Sequence, residues 1–221
     1  RLTPCSPRAP HPSRCRSISN RRLSAIWGLY LPGASFVIPA TPRRDASAVA
    51  ATDYALLITQ RGNDNRPVCD VLDEKAFVNG IVGLMATGGS TNLVLHLPAM
   101  ARASGVELRL EDFNDISSVT PLMAKVYPNG LADVNHFHAA GGLGFMIGEL
   151  LKAGLLHEEV KTVAGDGLSL YSQEPKVADG RVVYGPGAGE TQNDKILRPA
   201  KDPFRSEEHT SELQSLINLV C

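Results

Sequence analysis

The sequence predicts an α/β domain. Segments with helical spacing alternate along the chain with short apolar segments and glycine-rich turns, which is the pattern of helices layered on strands. The chain has 221 residues, of which 43% are apolar, so it is long enough to bury one full-sized core. The sequence contains no internal repeat of the kind that would indicate a solenoid.

The first predicted elements are a turn, two helices and the loop between them. Gly28–Phe36 (GLYLPGASF) contains a Pro-Gly pair and predicts a turn. Asp45–Gln60 is rich in alanine and predicts a helix, and Arg61–Pro67 (RGNDNRP) predicts a loop. Asp73–Ala86 predicts a second helix, because its first two residues are acidic and the N-terminal end of a helix favours negative charge.

Two glycines then separate this helix from the next one. Thr91–Ala103 is predicted to be a mostly buried helix, with Ser90 as its N-cap. Leu108–Phe113 is predicted to be a short strand or a connector.

The remaining elements are two helices and two short strands. Asp115 or Ser117 is predicted to cap a helix that ends near Tyr127, where Pro-Asn-Gly gives a stop signal. A pair of glycines is predicted to start the next helix, at about Leu143–Ala153. The last predicted elements are two strands, Lys161–Ala164 and Arg181–Tyr184.

Composition excludes several classes of protein. The chain has 22 Lys+Arg against 23 Asp+Glu, a formal charge of −1, which is not the basic footprint of a nucleic-acid-binding protein. The sequence has no run of about 18 apolar residues, the length a membrane-spanning helix needs. The cysteines are scattered, so neither a zinc ribbon nor a disulfide framework is predicted. They are Cys5, Cys15, Cys69 and Cys221.

Both ends of the chain differ from the middle in composition. Eight arginines precede Asp45, the first acidic residue, and residues 1–17 are rich in Ser, Pro and Arg without any periodicity. Arg205–Ser215 (RSEEHTSELQS) resembles the in-frame translation of a sequencing adapter. We therefore expect a non-native or disordered arm at 1–17, a partial α/β domain at 18–175, a linker toward a further domain at 176–204 and an adapter-derived tail at 205–221.

The segment Ala86–Asn92 (ATGGSTN) is the first candidate for chemistry. Its glycines let a ligand approach the backbone, and the free N–H groups at the start of the following helix favour an anion. The side chains of Ser90, Thr91 and Asn92 could add hydrogen bonds. The alternative is an ordinary glycine-rich break with a serine cap, and the residues alone leave the two interpretations equally open.

The second candidate is Asp133–Gly142 (DVNHFHAAGG). If this segment is extended, His136 and His138 point to the same side. A metal site would need a third ligand, from His157 or His96, and we disfavour it. The structural alternative is two histidines that form hydrogen bonds in a partly buried turn, and a polar patch facing a substrate is the functional one.

These segments together resemble the dihydroxy-acid dehydratase/phosphogluconate dehydratase superfamily. The GGSTN segment is similar to the superfamily as a whole, whereas the His-rich segment is similar to its phosphogluconate branch. The likeness covers about residues 19–204. The matching segments are Gly28–Phe36, Asp73–Gly80 (DEKAFVNG), Gly83–Asn92 (GLMATGGSTN), Tyr127–Gly130 (YPNG), Asp133–Gly142 and Thr162–Gly165 (TVAG).

The resemblance implies loss of water from 6-phospho-D-gluconate to give 2-dehydro-3-deoxy-6-phosphogluconate, in the Entner–Doudoroff pathway. It implies a 4Fe-4S iron–sulfur cluster that acts as a Lewis acid on the leaving hydroxyl. It further implies a cytoplasmic, homo-oligomeric full-length enzyme with a small-molecule substrate and without nucleic-acid or membrane partners. The expected substrate-binding residues are Ser90, Thr91, Asn92, His136 and His138, and no metal ligand or catalytic residue is assigned in this chain.

The sequence departs from the family where the cluster ligands are expected. His11 occupies the position of a family cysteine, Cys15 is four residues out of register, and Cys69 falls where the family has a small residue. The resemblance implies that the proton-abstracting serine belongs to a C-terminal β-barrel domain, which we expect to lie outside this chain. We therefore expect the chain alone to be inactive. The alternatives are another sugar-acid or dihydroxy-acid dehydratase of the superfamily, and a non-catalytic sugar-phosphate-binding remnant.

Overall fold

A computed structural model describes residues 20–127 and 129–205 of the chain. The predicted arm at 1–17 and nearly all of the predicted tail at 205–221 lie outside the described residues. The helices within them are α1 (20–26), α2 (Pro42–Leu57), α3 (Val68–Val71), α4 (Glu74–Thr87), α5 (Thr91–Ala103), α6 (Leu110–Val119), α7 (Val134–Ala139) and α8 (Gly142–Lys152). The strands are β1 (Lys161–Thr162), β2 (Gly165–Asp166), β3 (Glu174–Ala178) and β4 (Arg181–Gly185).

Helix α4 is the central element. It begins after Asp73, whose side chain accepts a hydrogen bond from the backbone N–H of Ala76 at 2.8 Å. Its residues are apolar on every side and almost all are buried, as expected for a helix enclosed by the rest of the domain. One face, including Val82, belongs to a core cluster shared with α7 and α8. Another face, including Phe77, belongs to a cluster shared with α1, α5 and α6.

The second half of the chain adds two hairpins and a returning segment. β1 pairs with β2 and β3 with β4, in each case antiparallel. Residues 191–205 then return to the extended segment after α6, where Leu122 pairs with Arg205 and Ala124 with Leu197. Leu197 is fully buried in the same cluster as α7 and α8.

The mixture of helices and small sheets agrees with the predicted fold class. The predicted turn at 28–36 is present, with a single 3₁₀ turn at Ala34–Phe36. Helices α4, α5 and α8 lie within two residues of their predicted boundaries. The predicted division after residue 175 stays a prediction, and β3 runs across this position.

The prediction for residues 108–127 is wrong. The structure has a helix at Leu110–Val119 instead of a strand followed by a helix from residue 115 to residue 127. Helix α6 begins early because Asp112, in its first turn, accepts a hydrogen bond from the backbone N–H of Arg109 at 2.7 Å. It ends at Val119 because Pro121 disfavours helical backbone at the preceding residue.

The extended conformation considered for the His-rich segment is also wrong. Residues Val134–Ala139 form the short helix α7, because Asp133 caps it by accepting from the backbone N–H groups of Asn135 at 2.8 Å and His136 at 3.0 Å. Residues two apart point to different sides of a helix, so His136 and His138 diverge.

Among the described residues, no helix combines the length and the apolar character that crossing a bilayer requires.

Candidate functional site

The turn between α4 and α5 is held by a contact with a distant loop. Gly88 ends α4 with a left-handed backbone conformation, φ 55°, which glycine adopts without strain. The side-chain amide of Asn129 donates to the carbonyl oxygen of Gly88 at 2.9 Å. A Cβ at position 88 would overlap this amide nitrogen. The YPNG segment therefore has a structural partner in the GGSTN segment.

Ser90 is the N-cap of α5, as predicted. Its Oγ accepts from the backbone N–H of Asn92 at 3.3 Å and from the Asn92 side-chain amide at 3.0 Å. Ser90 is buried and Asn92 is partly exposed. Thr91 is the first residue of α5. The cap explains why serine is favoured here, and a role of these three residues in substrate binding stays a prediction.

His136 is paired within its own helix. Its Nδ1 lies 2.9 Å from Oδ1 of Asp133, and the side chain remains 63% exposed. When this nitrogen carries no proton, it accepts from the backbone N–H of Asp133 at 3.3 Å. This reciprocal arrangement is a capping box, so the structure gives His136 a structural role at the start of α7.

His138 points toward a small cavity on another side of α7. Its ring lies 6.2 Å from that of Phe36, and a Cβ at Gly142 would lie 3.1 Å from its Nδ1. Partial burial lowers the pKa of His138, the nearby charge of Arg43 lowers it further, and Glu174 opposes both effects. A lowered pKa favours the neutral imidazole at pH 7, which can both donate and accept a hydrogen bond.

Arg22 of α1 lies between the two candidate segments. Its side chain is buried, and its guanidinium carbon is 5.0 Å from the centre of the Phe137 ring in α7. It also lines a narrow cavity with Gly89 and Leu93, next to the start of α5. The segments at 86–92 and 133–142 are therefore neighbours of the same buried arginine, although His136 itself faces Asp133.

Sequence reasoning missed two polar residues that the fold uses. Asn79 is fully buried in α4 and forms two hydrogen bonds with the backbone of His157: its Oδ1 accepts from the N–H at 2.7 Å and its Nδ2 donates to the carbonyl at 2.9 Å. Arg43 lines the cavity beside His138. The signal that could have revealed Arg43 is an arginine pair directly after Thr-Pro, a sequence that predicts a helix start.

The arrangement can bind polar and anionic groups. The N-terminal end of α5 offers backbone N–H groups. Side-chain donors are added by Asn92, which is partly exposed, and by His138, which is exposed. A metal centre is a separate matter. Within residues 20–127 and 129–205, no three His, Cys, Asp or Glu side chains are arranged to hold a metal ion.

Comparison with known proteins places the chain in a family. Residues 17–171 match the family described as dihydroxy-acid/6-phosphogluconate dehydratase, N-terminal. The match covers more than half of the chain, and the chain belongs to this family.

Several curated relatives are similar over most of the chain. It is 51% identical over 199 residues to the phosphogluconate dehydratase of Rhizobium meliloti (strain 1021), which covers 90% of this chain and 32% of the relative. It is 49% identical over 186 residues to the phosphogluconate dehydratase of Escherichia coli (strain K12), covering 84% of this chain and 31% of the relative.

A relative with a different name is less similar. The dihydroxy-acid dehydratase of Caldicellulosiruptor saccharolyticus is 36% identical over 161 residues, covering 73% of this chain and 29% of the relative. The higher identity to phosphogluconate dehydratases agrees with the branch predicted from the His-rich segment. The chain spans about a third of the length of the curated relatives it matches.

Proposed function

We propose that the chain is the N-terminal part of a phosphogluconate dehydratase, a hydro-lyase. The complete enzyme removes water from 6-phospho-D-gluconate and forms 2-dehydro-3-deoxy-6-phosphogluconate in the Entner–Doudoroff pathway. The observation that carries this proposal is 51% identity over 90% of the chain to a relative named phosphogluconate dehydratase. The proposal includes a cytoplasmic, homo-oligomeric full-length enzyme, in keeping with the metabolic role that the names of the relatives describe.

The proposal assigns substrate binding to the GGSTN and His-rich segments. Ser90, Thr91 and Asn92 are at the positively polarised end of α5, where an anionic sugar acid is favoured. His138 faces a cavity, whereas His136 is engaged with Asp133. Of the two histidines, the geometry therefore supports His138 more strongly as a substrate-binding residue.

The iron–sulfur cluster that the resemblance implies does not fit the described residues. Their single cysteine, Cys69, is exposed, with its sulfur 3.7 Å from a carboxylate oxygen of Asp70. Cluster ligation requires several cysteine thiolates close together. Cys5, Cys15 and Cys221 lie outside the described residues. A 4Fe-4S cluster therefore belongs to the proposal for the complete enzyme.

A chimera tests the proposed reaction. Residues 20–204 of this chain replace the matching part of the Escherichia coli phosphogluconate dehydratase, which is 49% identical over 186 residues. The host enzyme supplies everything on either side of the exchanged segment. We expect the chimera to dehydrate 6-phosphogluconate, measured as formation of a 2-oxo acid, and to prefer it to gluconate and to a branched dihydroxy acid.

The outcomes of the chimera experiment are distinct. A folded chimera that is inactive, or that prefers an unphosphorylated substrate, would contradict the proposed function. The 221-residue chain alone, treated with iron and sulfide under anaerobic conditions, is the matched control. We expect no turnover from it, because the described residues bring together no cluster ligands.

A further inference from the structure

The first turn of α2 carries an unusual concentration of positive charge. Pro42, Arg43 and Arg44 are its first three residues, and Asp45 follows. The N-terminal end of a helix is already positively polarised, so cations there are disfavoured. Within the part of the chain that the structure describes, neither arginine takes part in an ion pair. The stability of this helix end therefore does not explain why both residues are arginine.

The two arginines face different surroundings. Arg44 is exposed and lines an open groove along α2. Arg43 is only partly exposed, and its Nε is buried without a hydrogen-bond partner among the described residues. A buried donor without a partner costs free energy, so a native structure that keeps one calls for a reason.

The cavity beside Arg43 is small and its lining is mostly apolar, with a few polar side chains among the lining residues. His138 lines it together with Gly33 and Gly141. A Cβ at Gly33 would overlap Cδ of Pro175 and lie 3.6 Å from Nη2 of Arg43, so glycine at position 33 lets the Pro175 ring pack next to the guanidinium. Gly33 has a φ of 67°, a conformation that L side chains rarely adopt.

The charge of Arg43 also acts on neighbouring titratable groups. The charge of Arg43 contributes to the lowered pKa of His138. Burial raises the pKa of Tyr184 to about 12, the hydroxyl of Tyr54 adds to this, and Arg43 acts in the opposite direction. Glu174 is the carboxylate that lines the same cavity, but it is exposed and is not ion-paired with Arg43.

We propose that Arg43 binds an oxyanion of the ligand in this cavity, beside the imidazole of His138. The planar guanidinium matches the geometry of a carboxylate or a phosphate. The inference rests on the proposed function, because 6-phosphogluconate carries one group of each kind. It adds to that function a specificity-determining residue from α2, outside both the GGSTN and the His-rich segments.

The experiment measures binding to the complete 221-residue chain by calorimetry. The probes are inorganic phosphate, glucose 6-phosphate, gluconate and 6-phosphogluconate. We expect saturable binding of phosphate or of gluconate to the unaltered chain, and Arg43→Gln to raise Kd by about tenfold, the effect of losing one charged hydrogen bond. Arg43→Lys keeps the charge but lacks the planar guanidinium that can bind an oxyanion through two N–H groups, and we expect an intermediate Kd.

Arg44→Gln is the matched control, because it removes the same charge from the adjacent residue that lines a different surface. We expect it to change Kd by less than about twofold, as for an exposed charge. Thermal melts show whether each variant folds. In addition, Arg43→Gln should raise the pKa of His138, followed by NMR, while Arg44→Gln should not.

Each outcome decides the proposal. If Arg43→Gln weakens the binding of glucose 6-phosphate, Arg43 binds the phosphate end of the substrate. If it weakens the binding of gluconate, Arg43 binds the carboxylate end. The role of Arg43 is overturned if the unaltered chain binds none of the probes, or if Arg43→Gln and Arg44→Gln lose affinity to the same extent. An inactive chimera together with Arg43-dependent binding would overturn the proposed reaction instead, so the two failures are distinguishable.

Discussion

At the scale of single residues, Gly88 and Asn129 show how a site segment is held in place. The left-handed backbone at Gly88 turns the chain from α4 into α5, and the amide of Asn129 occupies the space that a side chain at position 88 would need. The two residues are 41 positions apart. Glycine is therefore required at 88 both for its conformation and for this close approach.

We predict that Gly88→Ala destabilises the chain by about 2–3 kcal/mol, of which about 1–2 come from the left-handed conformation and about 1 from the lost hydrogen bond. Gly105→Ala is the control, since Gly105 has a φ of 82° and no atom within 4 Å of its Cβ position. It should cost only about 1–2 kcal/mol. Urea denaturation measures both free energies of unfolding.

A double mutant separates the two causes. With Asn129→Ala already present, Gly88→Ala should cost no more than Gly105→Ala, because the overlapping amide has been removed. Equal costs of Gly88→Ala in the presence and absence of Asn129 would show that the contact between the two segments is not the reason for glycine.

At the scale of elements, the sequence predicted those helices whose ends carry short-range signals. Asp73 and Ser90 cap α4 and α5, and both helices were predicted within two residues. The prediction for α6 is wrong because the acidic residues before Phe113 start a helix there and Pro121 ends it. The period-two interpretation of α7 is wrong because Asp133 caps a helix.

Helix α5 contains a proline in its interior, which gives a prediction about that element. Pro98 lies in the middle of Thr91–Ala103, where it lacks the N–H that would donate to the carbonyl of Val94. We expect Pro98→Ala to stabilise the chain by about 1–3 kcal/mol, because alanine restores the donor and has the higher helix propensity. The rise in Tm in a thermal melt is the measurement.

Pro42→Ala is the control for this prediction. Pro42 occupies the first helical position of α2, where no intrahelical donor is needed and proline is favoured. We expect no gain in Tm from this variant. A fall in Tm for Pro98→Ala would mean that packing of the proline ring outweighs the missing hydrogen bond.

At the scale of the whole molecule, the candidate site was predicted only in part. The sequence indicated the GGSTN turn and the His-rich segment because both are local patterns. It did not indicate that Asn129 holds Gly88, that Arg22 lies between the segments, or that Arg43 faces His138. These are contacts between residues far apart in sequence, and nothing in local spacing encodes them.

The segment 191–205 is another part of the chain whose place in the domain depends on contacts between residues far apart in sequence. Its residues 191–204 fall in the predicted linker at 176–204, a division that stays a prediction. In the structure it lies along residues 122–126, where Arg198 donates its backbone N–H to Met123 at 2.8 Å and Lys125 donates to Ile196 at 2.8 Å. Leu197 is completely buried. These contacts are those of a segment that stabilises the core.

We predict that Leu197→Ala lowers the free energy of unfolding by about 2–5 kcal/mol, because it removes a fully buried side chain and leaves a cavity. Leu131→Ala, at a fully exposed leucine, is the matched control and should change it by less than about 0.5 kcal/mol. Denaturant unfolding, monitored by circular dichroism, gives both values. A small effect of Leu197→Ala would show that residues 191–205 behave as a linker in solution. A large effect would show that Leu197 belongs to the same cooperative unit as the core.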